Sequence, residues 1–473
     1  MLFNSLEFAL FLPVVLAIYY CLATRAQNLM LVVVSYFFYG WWDWRFLALL
    51  AFSTLLDYCC ALGMEATRGK RRRWWLVASV CGNLGVLGFF KYFNFFADSA
   101  KTVLDSLGLQ AHTTTLSIVL PVGISFYTFQ TMAYTIDVYR SRVAARRDFT
   151  IVAVYVAYFP QLVAGPIERA QNLMGQFEKP RRVSAEQFYR GSLLILIGLF
   201  KKIAIADAVA PLVQDAFSNA GETEWANLWQ GLWCFALQIY CDFSGYSDIA
   251  RGTSRLLGIE LMENFNQPYF STNITEFWRR WHISLSTWLR DYLYIPLGGN
   301  RGGTLATYRN LMLTMVLGGL WHGANWTFVV WGTLHGVYLA VHKRFGRDAR
   351  PEIDDARRGW PSVGQLCYGL LTFHLVMLTW LFFRSPDFAT ALDYISGIVT
   401  LRGYGDVPIS QAATVAFYTA LTLFIDIFQF RTGSHTAMLS WPWLVRGVVM
   451  FLMIVAIVLL GSYDETPFIY FQF

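Results

Sequence analysis

The sequence predicts an all-α, polytopic integral membrane protein, and three observations carry that expectation. Charged residues make up 14% of the 473 residues and hydrophobic ones 56%, against about 25% charged in soluble domains. Apolar stretches of roughly 20 residues, the length that crosses a bilayer as a helix, recur along the chain. The basic residues gather in short segments between those stretches. So few charges do not cover a water-exposed surface. The 18 Trp and 25 Tyr suit rings seated at the membrane–water interface.

Candidate spans lie near 8–23, 28–42, 46–64, 74–96, 115–138, 149–165, 191–213 and 225–250, then 308–322, 324–342, 362–384, 411–430 and 443–461. Several carry Gly, Pro or charge, so about eleven true spans are expected, with re-entrant or interfacial helices beside them. No positive n-region precedes the first apolar stretch, which reads as a retained helix rather than a signal peptide. Without a repeat, linker or soluble domain, residues 1–473 read as one membrane domain with a catalytic core at about 115–342.

The net charge of +6 is not spread along a nucleic-acid-binding face. It sits in three loops: Arg68, Lys70, Arg71, Arg72 and Arg73; Arg140, Arg142, Arg146 and Arg147; Lys343, Arg344, Arg347, Arg350, Arg357 and Arg358. Placing all three in the cytoplasm puts the N-terminus and the C-terminus outside. The 7 Cys include no CxxC pair and read as small hydrophobes. No histidine pair has metal-ligand spacing, so no metal is expected.

From about 120 to 335 the apolar segments carry polar groups that a lipid-facing helix would not tolerate. Gly and Pro interrupt them at Pro121-Val-Gly-Ile-Ser, Ala164-Gly-Pro-Ile-Glu and Asp242-Phe-Ser-Gly-Tyr-Ser-Asp. Irregular backbone at membrane depth is tolerated inside protein or along a cavity, so a central cavity is expected. His322, in Leu317-Gly-Gly-Leu-Trp-His-Gly-Ala-Asn-Trp, is a candidate proton acceptor whose flanking glycines would admit a substrate. A satisfied core histidine is the alternative reading. Trp321 and Asn325 in the same motif are candidate substrate contacts. His282 lies in Glu276-Phe-Trp-Arg-Arg-Trp-His-Ile-Ser-Leu-Ser-Thr-Trp-Leu-Arg-Asp. Helical spacing puts Ser286 and Arg290 on its face. The alternative is an interfacial helix with Trp anchors and snorkelling Arg.

The remaining polar groups read less sharply. His335 and His374 read as core or isolated residues, and His112, His342 and His435 as loop or boundary residues. Asp242 and Asp248 bracket a Gly-containing break and are expected to cap it, to pair with Arg251 or to bind a cation. Lys201 and Lys202 either snorkel to the cytoplasmic interface or contact the phosphates of a cytoplasmic donor.

In order, Phe89-Phe-Lys-Tyr-Phe-Asn-Phe, Pro121-Val-Gly-Ile-Ser-Phe-Tyr, Tyr134-Thr-Ile-Asp-Val-Tyr-Arg, Leu162-Val-Ala-Gly-Pro-Ile, Asp242-Phe-Ser-Gly-Tyr-Ser-Asp, Glu263-Asn-Phe-Asn-Gln-Pro-Tyr, Phe277-Trp-Arg-Arg-Trp-His-Ile-Ser, Leu293-Tyr-Ile-Pro-Leu-Gly-Gly-Asn-Arg and Leu320-Trp-His-Gly-Ala-Asn-Trp resemble the membrane-bound O-acyltransferase family. The resemblance covers nearly the whole chain and is strongest toward the branch that O-acetylates bacterial polysaccharides such as alginate. It implies helices around a central tunnel in the bacterial inner membrane, with His322 at the catalytic histidine position and His282 at the second family position. It further implies acetyl-CoA as a donor substrate rather than a resident cofactor, a polysaccharide acceptor outside, and a periplasmic or membrane-anchored acetyltransferase partner. His282, alone or with Ser286, would orient the acyl carbonyl or stabilise its oxyanion. Cellulose or peptidoglycan acetylation, D-alanyl transfer to teichoic acid, a transporter and a non-catalytic scaffold are the competing expectations.

Overall fold

The computed structural model describes residues 1–109, 116–346, 361–405, 408–461 and 468–469. Among these residues every regular element is a helix. Five helices are long and apolar enough to cross a membrane: Trp44–Ala66, Gly69–Ser106, Val363–Arg384, Ile409–Thr432 and Trp443–Leu460. Each falls on a candidate span. Two further apolar helices, Leu6–Tyr20 and Phe388–Val399, are shorter. Others, such as Ile124–Tyr139, carry the polar groups that the sequence places in the middle of the chain. The fold class is as expected, while length and apolarity alone do not reach a count of eleven. The chain divides into two compact units, Met1–Phe188 with Thr253–Met262, and Tyr189–Gly252 with Glu263–Phe473.

In the first unit, local signals set the helix starts. The Ser5 hydroxyl accepts from Phe8 N at 3.2 Å, and the Asp148 carboxylate accepts from Thr150 N at 2.9 Å, each satisfying a donor that has no partner in its own first turn. Two of the expected interruptions are present. Gly123, at φ +73°, starts Ile124–Tyr139, and a Cβ there would lie 2.9 Å from Leu162 O. Phe149–Ala157 ends before Tyr158, and only the turn Phe159–Leu162 follows. The buried Asp57 carboxylate is held by neutral donors, Ser79 Oγ at 2.6 Å and Asn83 Nδ2 at 2.9 Å. Lys70, Arg71, Arg72 and Arg73, expected in a loop, open the helix Gly69–Ser106 instead, and Arg72 donates to Val138 O and to Ser141 Oγ at 2.9 Å each, which joins the first two basic segments at one end of this unit. Of the third basic loop, Lys343 and Arg344 close the helix Trp326–Phe345. Arg347, Arg350, Arg357 and Arg358 lie outside the described residues, as does His112.

The second unit is organised by close helix contacts. Asp242–Asp248 does not interrupt a helix: it lies inside Trp225–Leu256, which runs 32 residues unbroken. Gly245 is there for packing. A Cβ on Gly245 would sit 2.7 Å from Gly198 O, and one on Gly252 would sit 2.5 Å from Gly191 O. These pairs recur at a seven-residue spacing and let two antiparallel backbones touch. At this contact the neighbouring helix, Ala185–Leu199, passes into a π-helical segment, Phe200–Asp207. Its wider turn aims two successive lysines at one partner helix. Lys201 Nζ lies 2.8 Å from Asp248 Oδ2, and Lys202 Nζ lies 2.7 Å from Asp207 and 2.9 Å from Asp242.

Neither lysine snorkels, since Lys201 is 2% and Lys202 5% exposed. The two aspartates do not cap a break. They neutralise buried ammonium groups, and Asp248 also meets Arg251 at 3.6 Å.

Helices Gly303–His322 and Trp326–Phe345 form a second tight pair. A Cβ on Gly319 would lie 2.2 Å from Phe328 O, and one on Gly323 2.1 Å from the Phe328 ring. The glycines around His322 therefore let the partner helix approach closely.

Two outcomes test this packing. Gly245→Val is expected to destabilise the protein by about 1–3 kcal/mol through overpacking. Lys201→Met, which strips a buried carboxylate of its partner, should cost more, about 3–5 kcal/mol. Thermal unfolding of the detergent-solubilised variants measures both, and an unchanged Tm would refute the contact concerned.

Candidate active site

His322 is the last residue of its helix and is 4% exposed. His282 is fully buried. Forty residues apart in sequence, their rings lie with centroids 6.5 Å apart. Trp321 borders both, at 5.9 Å from the His282 ring and 5.0 Å from the His322 ring. Trp331 at 5.0 Å and Phe383 at 5.3 Å enclose His322 edge-on. Phe243 at 4.7 Å and Phe265 at 6.5 Å enclose His282. The two imidazoles thus share buried, aromatic surroundings in the second unit.

The backbone around His282 departs from the expected single helix. Ile274–Arg280 ends at Trp281, His282 takes a left-handed conformation at φ +41°, and a new helix, Ile283–Leu289, starts from it. A non-glycine residue rarely adopts that conformation, and it persists where the surroundings enforce it. Here the segment carrying Asn264 and Asn266 does so. Ile283 N donates to Asn264 O at 2.9 Å, and Asn266 N donates to Arg280 O at 3.0 Å. The buried Arg280 guanidinium pairs with Glu276 Oε1 of its own helix at 2.9 Å and donates to Asn266 O of that segment at 3.2 Å.

The break separates residues that helical spacing would put on one face. Ser286 Oγ turns back to Trp281 O at 3.1 Å. Arg290 is exposed and paired with Asp291 at 2.8 Å. The alternative of an interfacial helix with Trp anchors also fails at Trp281, which is 1% exposed in the core. Asn325 serves as a helix cap, accepting from Thr327 N at 3.0 Å and donating to Pro386 O at 2.7 Å. Trp321 is where a substrate contact is expected; Lys201 and Lys202 have carboxylates of their own.

His335 is a core residue. Thr379 Oγ1 gives its proton to Val376 O, so His335 Nε2–H donates to Thr379 at 3.0 Å, and Nδ1 accepts from Trp278 Nε1 at 3.3 Å. Burial favours the neutral imidazole at His282.

Several residues of this region carry no signal in the sequence. Asn264 Oδ1 meets His282 Nδ1 at 3.1 Å, Ser284 N at 3.2 Å and Ser284 Oγ at 2.9 Å. His435, read as a loop residue, joins the buried charges, 3.4 Å from Asp248 and 3.2 Å from Arg251. Near the chain end, Phe468 packs on Phe243 and Tyr246 at 5.7 and 4.7 Å, and Ile469 N donates to Asp242 Oδ2 at 2.7 Å. The contact partners of Phe468 and Ile469 lie more than two hundred residues earlier, beyond any local pattern.

The model of the membrane-bound O-acyltransferase family matches residues 80–383, which include both histidines. The chain is 40% identical over 501 residues to a probable alginate O-acetylase of Pseudomonas putida, covering 100% of both chains. It is 46% identical to the Pseudomonas aeruginosa protein of that description, over 83% of this chain and 73% of the relative. It is 34% identical to a peptidoglycan O-acetyltransferase of Helicobacter pylori, over 100% of this chain and 98% of the relative. With its all-helical membrane architecture, the chain is an O-acyltransferase and belongs to the membrane-bound O-acyltransferase family.

Proposed function

We propose that this protein moves acetyl groups from cytoplasmic acetyl-CoA across the inner membrane for O-acetylation of an extracytoplasmic polysaccharide, alginate or a similar polymer. The observation that carries the reading is the pairing of His322 and His282, 6.5 Å apart in one aromatic compartment. It stands in a chain that aligns along its full length with probable alginate O-acetylases.

His322 acts as the general base. It takes the proton of an acceptor hydroxyl as the oxygen attacks the thioester carbonyl. The new C–O bond forms, the C–S bond breaks, and the imidazolium returns its proton to the departing thiolate. The products are an ester and a free thiol. His282 lies beside it, and Trp321, which borders both rings, contacts the acyl group.

The orientation rests on the basic loops. Arg72 donates to Val138 O, just before the second basic segment, and to the Ser141 side chain within it, so residues 68–73 and 140–147 share one end of the first unit, and basic segments favour the cytoplasmic side. Both chain termini then lie outside. The anionic donor approaches from the cytoplasm, because its phosphates do not cross hydrocarbon. A compartment this enclosed suits a single hydroxyl better than a polymer chain. We therefore favour a relay in which a periplasmic or membrane-anchored acetyltransferase partner completes transfer to the polymer.

His322→Ala should lower thiol release from acetyl-CoA by about 100-fold or more, with the protein still folded. Release is read with a thiol reagent on protein in detergent, supplied with acceptor oligosaccharide and partner. Undiminished release by this variant would overturn the base assignment. Release from a D-alanyl carrier protein alone would instead favour the chemistry that names a relative from Streptococcus thermophilus, a teichoic acid D-alanyltransferase 26% identical over 57% of this chain.

A further inference from the structure

We propose that Asn264 is a positioning residue that fixes the tautomer of His282, so that His282 meets the substrates as a hydrogen-bond acceptor through Nε2. The inference rests on the acyl-transfer reading of the histidine pair and assigns a role inside it.

The geometry follows from one atom whose identity is not in doubt. Ser284 N is a backbone donor and lies 3.2 Å from the Asn264 side chain, so the atom facing it is the amide oxygen. The same amide sends its nitrogen the other way, Nδ2 donating to Ser247 Oγ at 3.3 Å. With that orientation set, the oxygen is what faces His282 Nδ1 at 3.1 Å. Two acceptors do not bond to each other, and Ser284 Oγ, 3.4 Å from the same nitrogen, gives its proton to the nearer amide oxygen at 2.9 Å, so Nδ1 carries the proton. In a neutral imidazole the lone pair is then on Nε2.

Ser284 Oγ also donates to the amide oxygen, at 2.9 Å, so three donors converge on it. Asn264 O, meanwhile, holds Ile283 N at 2.9 Å. One residue thus clamps the His282–Ser284 turn by its backbone and orients the ring by its side chain. Partners that hold a histidine's second nitrogen set its tautomer and its aim in metal and acid–base sites alike.

The consequence is chemical. A donor to the developing oxyanion needs an N–H, and Nε2 of this tautomer has none. His282 instead receives a hydrogen bond from an O–H or N–H of the bound substrates, such as a second hydroxyl of the acceptor or an amide of the donor's pantetheine arm. His322 takes the reacting proton.

Three variants in the detergent-solubilised protein, assayed by thiol release, test this. Asn264→Leu keeps the shape and removes the acceptor oxygen. It should lower kcat by about 100-fold, the order of a positioned acid–base group, with little change in donor KM. Asn264→Asp restores an acceptor oxygen and, at a pH where the imidazole beside its carboxylate is still neutral, should stay within about tenfold of wild type. Combining Asn264→Leu with His282→Ala should cost no more than His282→Ala alone. Full activity of Asn264→Leu, or equal loss in the Leu and Asp variants at an unchanged Tm, would overturn the proposal.

If the Leu variant does not fold, the nitrogen-15 shifts of histidine-labelled wild type decide, with His282→Gln used for assignment. A protonated Nδ1 at His282 is expected, and a protonated Nε2 refutes the assignment. Full activity of His282→Ala would bring down the reading of the histidine pair itself, whatever Asn264 does.

Discussion

The ion pairs across the Gly198–Gly245 contact are what the rest of the second unit depends on. Lys201 and Lys202 reach Asp248 and Asp242 from a π-helical segment, and the two aspartates stand three residues to either side of Gly245. Away from water, a mispaired charge costs several kcal/mol, so these partners leave Trp225–Leu256 one rotation and one height. That helix also carries Phe243 and Ser247, one turn apart on another face. Phe243 packs edge-on against His282, and Ser247 receives the Asn264 amide. Fixing the charges on one face thereby fixes the wall of the histidine compartment on another.

The same requirement shapes the break at Trp281–His282. A helix interrupted away from water leaves donors and acceptors that must find partners within the protein. The Asn264–Asn266 segment provides them through two backbone bonds and one side-chain oxygen. The result is a histidine held in a left-handed conformation that an unsupported chain would leave. The charged layer and the histidine layer differ in kind. Carboxylates neutralise lysines in one, and aromatic rings enclose imidazoles in the other. Acyl transfer gains from that separation, because a neutral imidazole is needed to accept a proton and a neighbouring carboxylate would bias it toward the charged form.

The helical membrane class was legible because it rests on composition and segment length, and the five helices long and apolar enough to cross a membrane fall on expected spans. His322 was legible because an ionisable residue amid apolar sequence stands out, and the ordered motifs pointed to it as well. Asp242–Asp248 was misread because glycine in a strip of polar residues resembles a break. Its partner, Gly198, lies 47 residues away, and only the folded pair reveals a contact. The Phe277–Asp291 stretch has the periodicity of one helix, and nothing local marks the stop at His282, which tertiary hydrogen bonds impose. Snorkelling of Lys201 and Lys202 was a fair expectation for lysines ending an apolar run. The paired aspartates that keep them inside belong to another helix.

Asn264 shows why such support escapes a reading from sequence. An asparagine in Glu263-Asn-Phe-Asn-Gln-Pro-Tyr reads as a turn residue, and its backbone does hold a turn. Its amide, however, acts on an imidazole 18 residues later, and that distance closes where Arg280 and Asn266 bond to each other across the two segments. Chemistry at membrane depth is built in this way from pairs that local pattern does not connect. The reactive side chain supplies a recognisable letter in the sequence, while its tautomer and direction come from a neighbour whose own letter is ordinary. The geometry of His282 is therefore a property of the 264–284 hairpin as a whole. An account of the reaction that begins with the two histidines has to include the hydrogen bonds that decide which nitrogen of His282 meets the substrate.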